Sequence, residues 1–354
     1  MKNKIYIHGM GNISAQPENA AFSGTVMEYR ENIIPAIDVD YKQFIKPSML
    51  RRMSKAVKMS LAAGQLALED AGLERPEMII TGTGEGCKQD TEIFLERLLD
   101  QNEELLTPTS FIHSTHNTIG GQIALALKCT GYNMTYTQSS CSIESAFLDA
   151  KLQFLEDDGT GSILIGGVEE IAEKTSRFGL LDGQIKKERT SNLDLLNAGS
   201  EGSIVSEGAQ FFAVSGKKQH STYAVINDIQ IHNSLAAEET ESRIASFLKE
   251  NNLAACDLDA VMLGRNGDAK FDHYYKDLQE GMFKDKVQLA FKHLSGEYNT
   301  ASGYAINLVC KMLKSQTIPE VLKLNEAETD TLKHILIYNQ YLGKNHVLIL
   351  LSAV

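Results

Sequence analysis

Cys141 stands in the run Ser139-Ser140-Cys141-Ser142-Ile143-Glu144-Ser145-Ala146, at the junction of a segment patterned as a strand and one patterned as a helix. Asn133-Met134-Thr135-Tyr136-Thr137 is β-branched and aromatic, and Ile143, Ala146, Phe147, Ala150, Leu152 and Leu155 follow at helical spacing. A thiol at such a junction meets the partial positive charge and free N–H groups of a helix N-terminus. These favour thiolate and can later hold an oxyanion, which is how a nucleophile is built. The competing reading is one more small buried side chain, the usual fate of a free cysteine.

The elements that would position this residue alternate along the whole chain. Strand patterns fall at Ile5 to Ile7, Met78 to Ile80, Ser162 to Val168, Phe211 to Val214, Thr222 to Ile231, Ala260 to Leu263, His334 to Tyr338 and His346 to Leu351. Helical patterns fall at Arg51 to Ala71, closed by Gly72, at Glu239 to Lys249 and at Ala301 to Lys314. Near-continuous apolar runs such as Ile163 to Val168 indicate strands buried on both faces. The alternation predicts an α/β protein with central sheets covered by helices.

Composition narrows the classes. The chain has 354 residues and an apolar fraction of 43%, enough for one large core or two fused ones. Its net charge of -12 argues against nucleic acid as the main ligand. Two local basic clusters, Arg51, Arg52, Lys55 and Lys58, and Lys186, Lys187 and Arg189, read more simply as solvated charges than as an acidic partner's dock. The five cysteines, at 87, 129, 141, 256 and 310, show no paired or metal-ligand spacing. Together with the lack of a signal peptide or a membrane-spanning run, this points to free thiols in the cytoplasm, without metal or other cofactor.

Several motifs in order resemble the β-ketoacyl synthases, the condensing enzymes of fatty acid and polyketide biosynthesis. They are Ile5-Tyr6-Ile7-His8-Gly9-Met10-Gly11 as first strand and turn, Ala67-Leu68-Glu69-Asp70-Ala71-Gly72-Leu73 ending the first long helix, and Ile80-Thr81-Gly82-Thr83-Gly84. Asn117 to Gln122, the Cys141 elbow, Gly166-Gly167-Val168-Glu169-Glu170 and Ser206-Glu207-Gly208-Ala209 complete the series. The resemblance implies a thiolase-like α/β fold of two fused, pseudo-duplicated halves in an α-β-α-β-α layered arrangement, with residues 1–215 carrying the nucleophile and 216–354 the rest of the site. It implies a dimer through edge strands, either a homodimer or a heterodimer with a ketosynthase. It also makes Cys141 the acceptor of an acyl chain from an acyl carrier protein.

The departures from that family are specific. Of the two histidines that would bind the malonyl thioester, the first position falls at Gly264 in Met262-Leu263-Gly264-Arg265-Asn266-Gly267-Asp268. The second falls at Glu297 in Lys292-His293-Leu294-Ser295-Gly296-Glu297, which keeps the lysine and glycine. A carboxylate at Glu297 about 4 Å from that of malonyl would repel it by roughly 4 kcal/mol at an effective dielectric near 20. The family's closing gate is reduced to Tyr341-Leu342-Gly343-Lys344-Asn345-His346, where His346 reads as structural. His113, His116 and His293 are the remaining histidines that could substitute, with an interface role for the first two the plainer reading.

Two classes follow. One is an acyltransferase of the 3-oxoacyl-carrier-protein synthase type, with Cys141 acylated, Lys292 organising the site and Glu297, if protonated by burial, as acid or base. The other is a non-catalytic subunit resembling the chain-length factors, which pair with an active ketosynthase. A non-decarboxylating acyltransferase is a third.

Overall fold

The computed structural model describes residues 4–104, 106, 108–156 and 161–354. Among them, ten strands form the main sheet: β1 (Ile5–Ile13), β2 (Met78–Gly82), β3 (Asn133–Tyr136), β4 (Ile163–Glu169), β5 (Gly208–Ser215), β6 (Ala224–Asn233), β7 (Ala260–Leu263), β8 (Val287–Ala290), β9 (His334–Tyr341) and β10 (Asn345–Ser352). Their spatial order is β8-β7-β9-β10-β6-β1-β5-β4-β2-β3. Outward from the β1–β6 junction the two halves repeat. Each has two antiparallel steps, β1-β5-β4 and β6-β10-β9, followed by two parallel steps, β4-β2-β3 and β9-β7-β8. β1 and β6 pair only over Ile5 to Ile7, and this short ladder joins the two halves into one sheet.

The alternation of side chains along these strands builds the layers. Phe212 and Val214 of β5, with Ile335 and Ile337 of β9, face the central core, where helices α5 (Ser142–Glu156) and α9 (Ser302–Ser315) lie. The Phe147 and Phe212 rings meet there at 5.5 Å. Phe211 and Ala213 point the other way, onto α1 (Lys55–Ala71). Leu336 and Tyr338 point onto α7 (Ala237–Glu250) and α8 (His273–Glu280). The result is the layered thiolase-like arrangement, helix-sheet-helix-sheet-helix. No helix among the described residues is long and apolar enough to cross a membrane.

Two local details depart from the sequence pattern. The first long helix starts at Lys55 instead of Arg51, because the Ser54 hydroxyl accepts from the Val57 N–H and caps it there. Gly9 and Gly11 do not form a turn; β1 runs through both to Ile13. A Cβ at these glycines would sit 2.2 and 1.9 Å from the carbonyl oxygens of Ala67 and Ala63. The glycines are there to let α1 lie directly on the strand. The basic clusters also disperse: Lys55 pairs with Glu207 at 2.6 Å, and Lys186 is buried, donating to Ser200 and to the Gly267 carbonyl.

Candidate active-site cleft

β3 ends at Tyr136 and the chain passes through one 3-10 turn, Ser139–Cys141, before α5 begins at Ser142. Gly82, at the end of β2, abuts this start so closely that a Cβ there would lie 2.5 Å from Ser142 backbone atoms. Ser142 fixes the turn by donating to the Ser139 carbonyl at 2.6 Å and accepting from the Gln138 N–H at 2.9 Å. The elbow residue itself is Ser139, exposed and with φ of 50°. Only a few per cent of non-glycine residues adopt that region, and bulky ones rarely do.

Cys141 lies two positions further on and faces inward. It has no exposed surface and packs in the central core with Ile143, Ala146 and Phe147. Burial pushes its thiol up to about 12, with Glu144 adding to the rise and Ser140 opposing it. Burial thus opposes the thiolate that a helix terminus would favour. At pH 7 such a thiol is ionised to roughly 1 part in 10⁵, against about 3 in 100 for a cysteine at 8.5. Iodoacetamide at neutral pH is expected to label exposed Cys256 first and Cys141 at least a hundredfold more slowly, read by peptide mass spectrometry. Equal labelling would mean the thiol reaches solvent.

The elbow opens onto a cleft of about 320 Å3 whose walls include Ser139, Gly84, Glu85, Lys88, Glu169, Gln184, Glu297, Asn299 and Tyr341. One wall is the inner side of α6 (Glu173–Leu181), through Thr175, Ser176 and Gly179. Glu297 lines the cleft, and Lys292 lies buried behind it. Lys292 has no exposed surface, and its Nζ donates to Glu297 Oε2 at 2.7 Å; Asn266 Nδ2 donates to the same oxygen, also at 2.7 Å. The carboxylate is thus held by an ammonium and an amide inside the protein.

Gly264 is not an empty place. A Cβ there would fall 2.1 Å from Asn339 Oδ1, so the Asn339 side chain occupies the space a residue at 264 would use. Asn339 donates to the Ser302 hydroxyl at 3.0 Å, while its own Oδ1 is buried without a partner. Glu144, one turn into α5, is fully buried; burial pushes its carboxyl up to about 7 against the pull of Ser302 and Lys292. Glu169 is also buried. It accepts from the Gly84 N–H and the Thr83 hydroxyl through Oε1, leaves Oε2 unpartnered, and is pushed by burial up to about 8.

None of the histidines considered from the sequence lines this cleft. His293 Nε2 hydrogen-bonds the Val321 carbonyl at 2.9 Å, and His346 Nδ1 contacts the Tyr338 hydroxyl at 3.0 Å; burial lowers both rings to about 4, so they are neutral structural groups. His113 borders a separate cavity with Asp90 and Arg52, and His116 is exposed, packed against Gly86. Sequence reading missed Ser139, Asn266, Asn299 and Asn339. The two-residue offset between Ser139 and Cys141 was open to a helical-wheel argument; the asparagines carried no signal.

The model of the β-ketoacyl synthase N-terminal domain matches residues 17–220. No curated protein sequence matches significantly. Among solved structures, the ishigamide ketosynthase/chain length factor superposes with a TM-score of 0.79 at 14% identity, over 100% of both chains. A β-ketoacyl synthase from Burkholderia phymatum STM815 gives 0.78 at 15%, again over 100% of both. A ketosynthase in complex with its chain length factor from Xenorhabdus doucetiae gives 0.76 at 13%, over 99% of this chain and 98% of that one. With more than half its length matched by that domain model and the same fold throughout, the chain belongs to the β-ketoacyl synthase family.

Proposed function

We propose that this protein is the non-condensing partner of a ketosynthase, a chain-length-factor-type subunit acting in fatty acid or polyketide biosynthesis on chains borne by an acyl carrier protein. The observation that carries this reading is the state of the two histidine positions. At one, Glu297 is tied to Lys292 and Asn266; at the other, Asn339 fills the space above Gly264. Decarboxylating malonyl needs donors aimed at a developing enolate, each worth on the order of 10² to 10³ in rate. Here the ammonium is already engaged by a carboxylate.

The pairing surface in this reading is the outer edge of β3, which among the described residues is bonded on one side only, to β2. An unpaired edge is a template for another strand. Exposed apolar side chains lie on the strand and the elements that follow outward from it: Met134 on the strand, Leu125, 72% exposed, on α4 (Thr118–Leu127), and Phe111 and Ile112 on α3 (Pro108–Ser114), which packs on α4. The ketosynthase solved in complex with its chain length factor from Xenorhabdus doucetiae supports this choice over a homodimer. Five free cysteines fit a reducing cytoplasm.

The test is light scattering after gel filtration of the chain mixed with a ketosynthase of the same organism that has the cysteine and both histidines. A 1:1 heterodimer is expected, lost in Met134→Arg, together with no malonyl decarboxylation by the isolated chain. A chain that stays apart and decarboxylates malonyl unaided overturns the reading.

A further inference from the structure

We propose that Ser139 is an acyl acceptor: its hydroxyl takes an acyl group from a thioester in the cleft to give an oxygen ester, with Glu169 receiving the hydroxyl proton. This goes beyond the partner reading and is tested independently of it.

Four observations link the groups through Asn299 and Gly84. Ser139 is the exposed residue at the elbow, on the wall of the cleft, with its backbone held at φ 50° by the Ser142 hydrogen bonds on either side. Its Oγ donates to Asn299 Oδ1 at 3.4 Å. The Asn299 side chain lies against Gly84, where a Cβ would be 2.2 Å from Nδ2, and the Gly84 N–H donates to Glu169. Glu169 completes the run: it is 1% exposed, lines the cleft, and keeps Oε2 free of any partner. A buried carboxyl oxygen with no partner is a costly arrangement.

The other carboxylates of the cleft are engaged, Glu85 by Lys88 and Glu297 by Lys292. Glu169 alone among the carboxylates lining the cleft makes no ion pair within 4 Å with a described residue. In the step itself the bond from Ser139 Oγ to the acyl carbon forms and the thioester C–S bond breaks. The hydroxyl proton passes to the Glu169 carboxylate and then to the departing thiolate, so no other reactant is needed. Ile185, Val205 and Leu342 supply an apolar strip for a short acyl chain.

The experiment incubates the full-length protein with the butanoyl thioester of N-acetylcysteamine and reads the adduct by intact and peptide mass spectrometry. One butanoyl group is expected on Ser139, resistant to neutral hydroxylamine, and present equally in Cys141→Ala. Ser139→Gly, which suits the positive φ and so keeps the fold, is expected to abolish it. Ser139→Cys is expected to restore an adduct that neutral hydroxylamine removes. The rate in the wild type should rise with pH through about 8 as Glu169 ionises, and Glu169→Gln should lower it at least tenfold and remove that inflection. No adduct on the wild type, an adduct surviving in Ser139→Gly, or one lost in Cys141→Ala overturns the proposal, whatever the gel-filtration result.

Discussion

Replacing Glu297 with alanine is expected to destabilise the fold by about 3–5 kcal/mol, because it leaves a buried ammonium without its counter-charge. Lys292 has no exposed surface, and Glu297 Oε2 at 2.7 Å is its hydrogen-bond partner; Asn266, which donates to the same oxygen, would lose its acceptor too. Replacing both members by apolar groups, Lys292→Met with Glu297→Leu, removes the stranded charge and is expected to recover most of the loss, since buried pairs barely repay their own desolvation. Urea denaturation of the two variants decides the matter; a Glu297→Ala protein within about 1 kcal/mol of wild type would mean that water reaches Lys292.

The same geometry revises what a histidine at this position would do. From sequence alone, Glu297→His is the natural way to restore malonyl processing. In the structure the imidazole would meet the Lys292 ammonium, and Asn339 would still fill the second position above Gly264. Loss of stability without gain of decarboxylation is the expected outcome.

The layered fold was legible because its determinants are local and repeated. Short apolar runs such as Ile163 to Val168 suit strands buried on both faces, and Gly72 closes the first long helix with a φ of 69°, as its place after the last apolar turn suggests. Lys292 and Glu297 come together because they stand five residues apart around a single short helical turn. Contacts between distant segments were not legible. Cys141 and Ser139 share one helix entrance, and which of them faces the cleft depends on the rotation of that entrance against Gly82 and β2, a contact between segments some 60 residues apart in sequence. Asn339 and Gly264 likewise come together only through the parallel pairing of β9 with β7. No pattern along the chain reports a side chain that fills another residue's space.

Buried carboxyls should also give this protein an unusual stability profile, falling as the solution turns mildly alkaline. Burial raises Glu144 and Glu170 to about 7 and Glu169 to about 8. Between an unfolded value near 4.3 and these folded values, the folded state holds protons that the unfolded state has released. Stability therefore falls with rising pH across that window, by up to about 1.4 kcal/mol per pH unit for each carboxyl while it titrates. Three buried histidines act in the opposite sense at lower pH. His8, His293 and His346 are lowered to about 4 by burial, so below about 6.5 the unfolded chain takes up protons that the folded chain refuses, and stability rises with pH there. The two sets offset each other between about pH 4.5 and 6.5. Above that the histidines are silent, the carboxyls act alone to about pH 8, and the thiols of Cys87 and Cys141, both raised to about 12, continue the decline beyond about 8.5. Calorimetry in buffers of constant ionic strength is expected to show the melting temperature falling by several degrees from pH 6.5 to 8.5. Glu169→Gln, which cannot ionise, should flatten the upper half of that fall. A melting temperature that holds level or rises across the range would mean that these carboxyls are hydrated and ionised in the folded protein, and with Glu169 already charged the proton acceptor assigned to Ser139 would lose its inflection near 8.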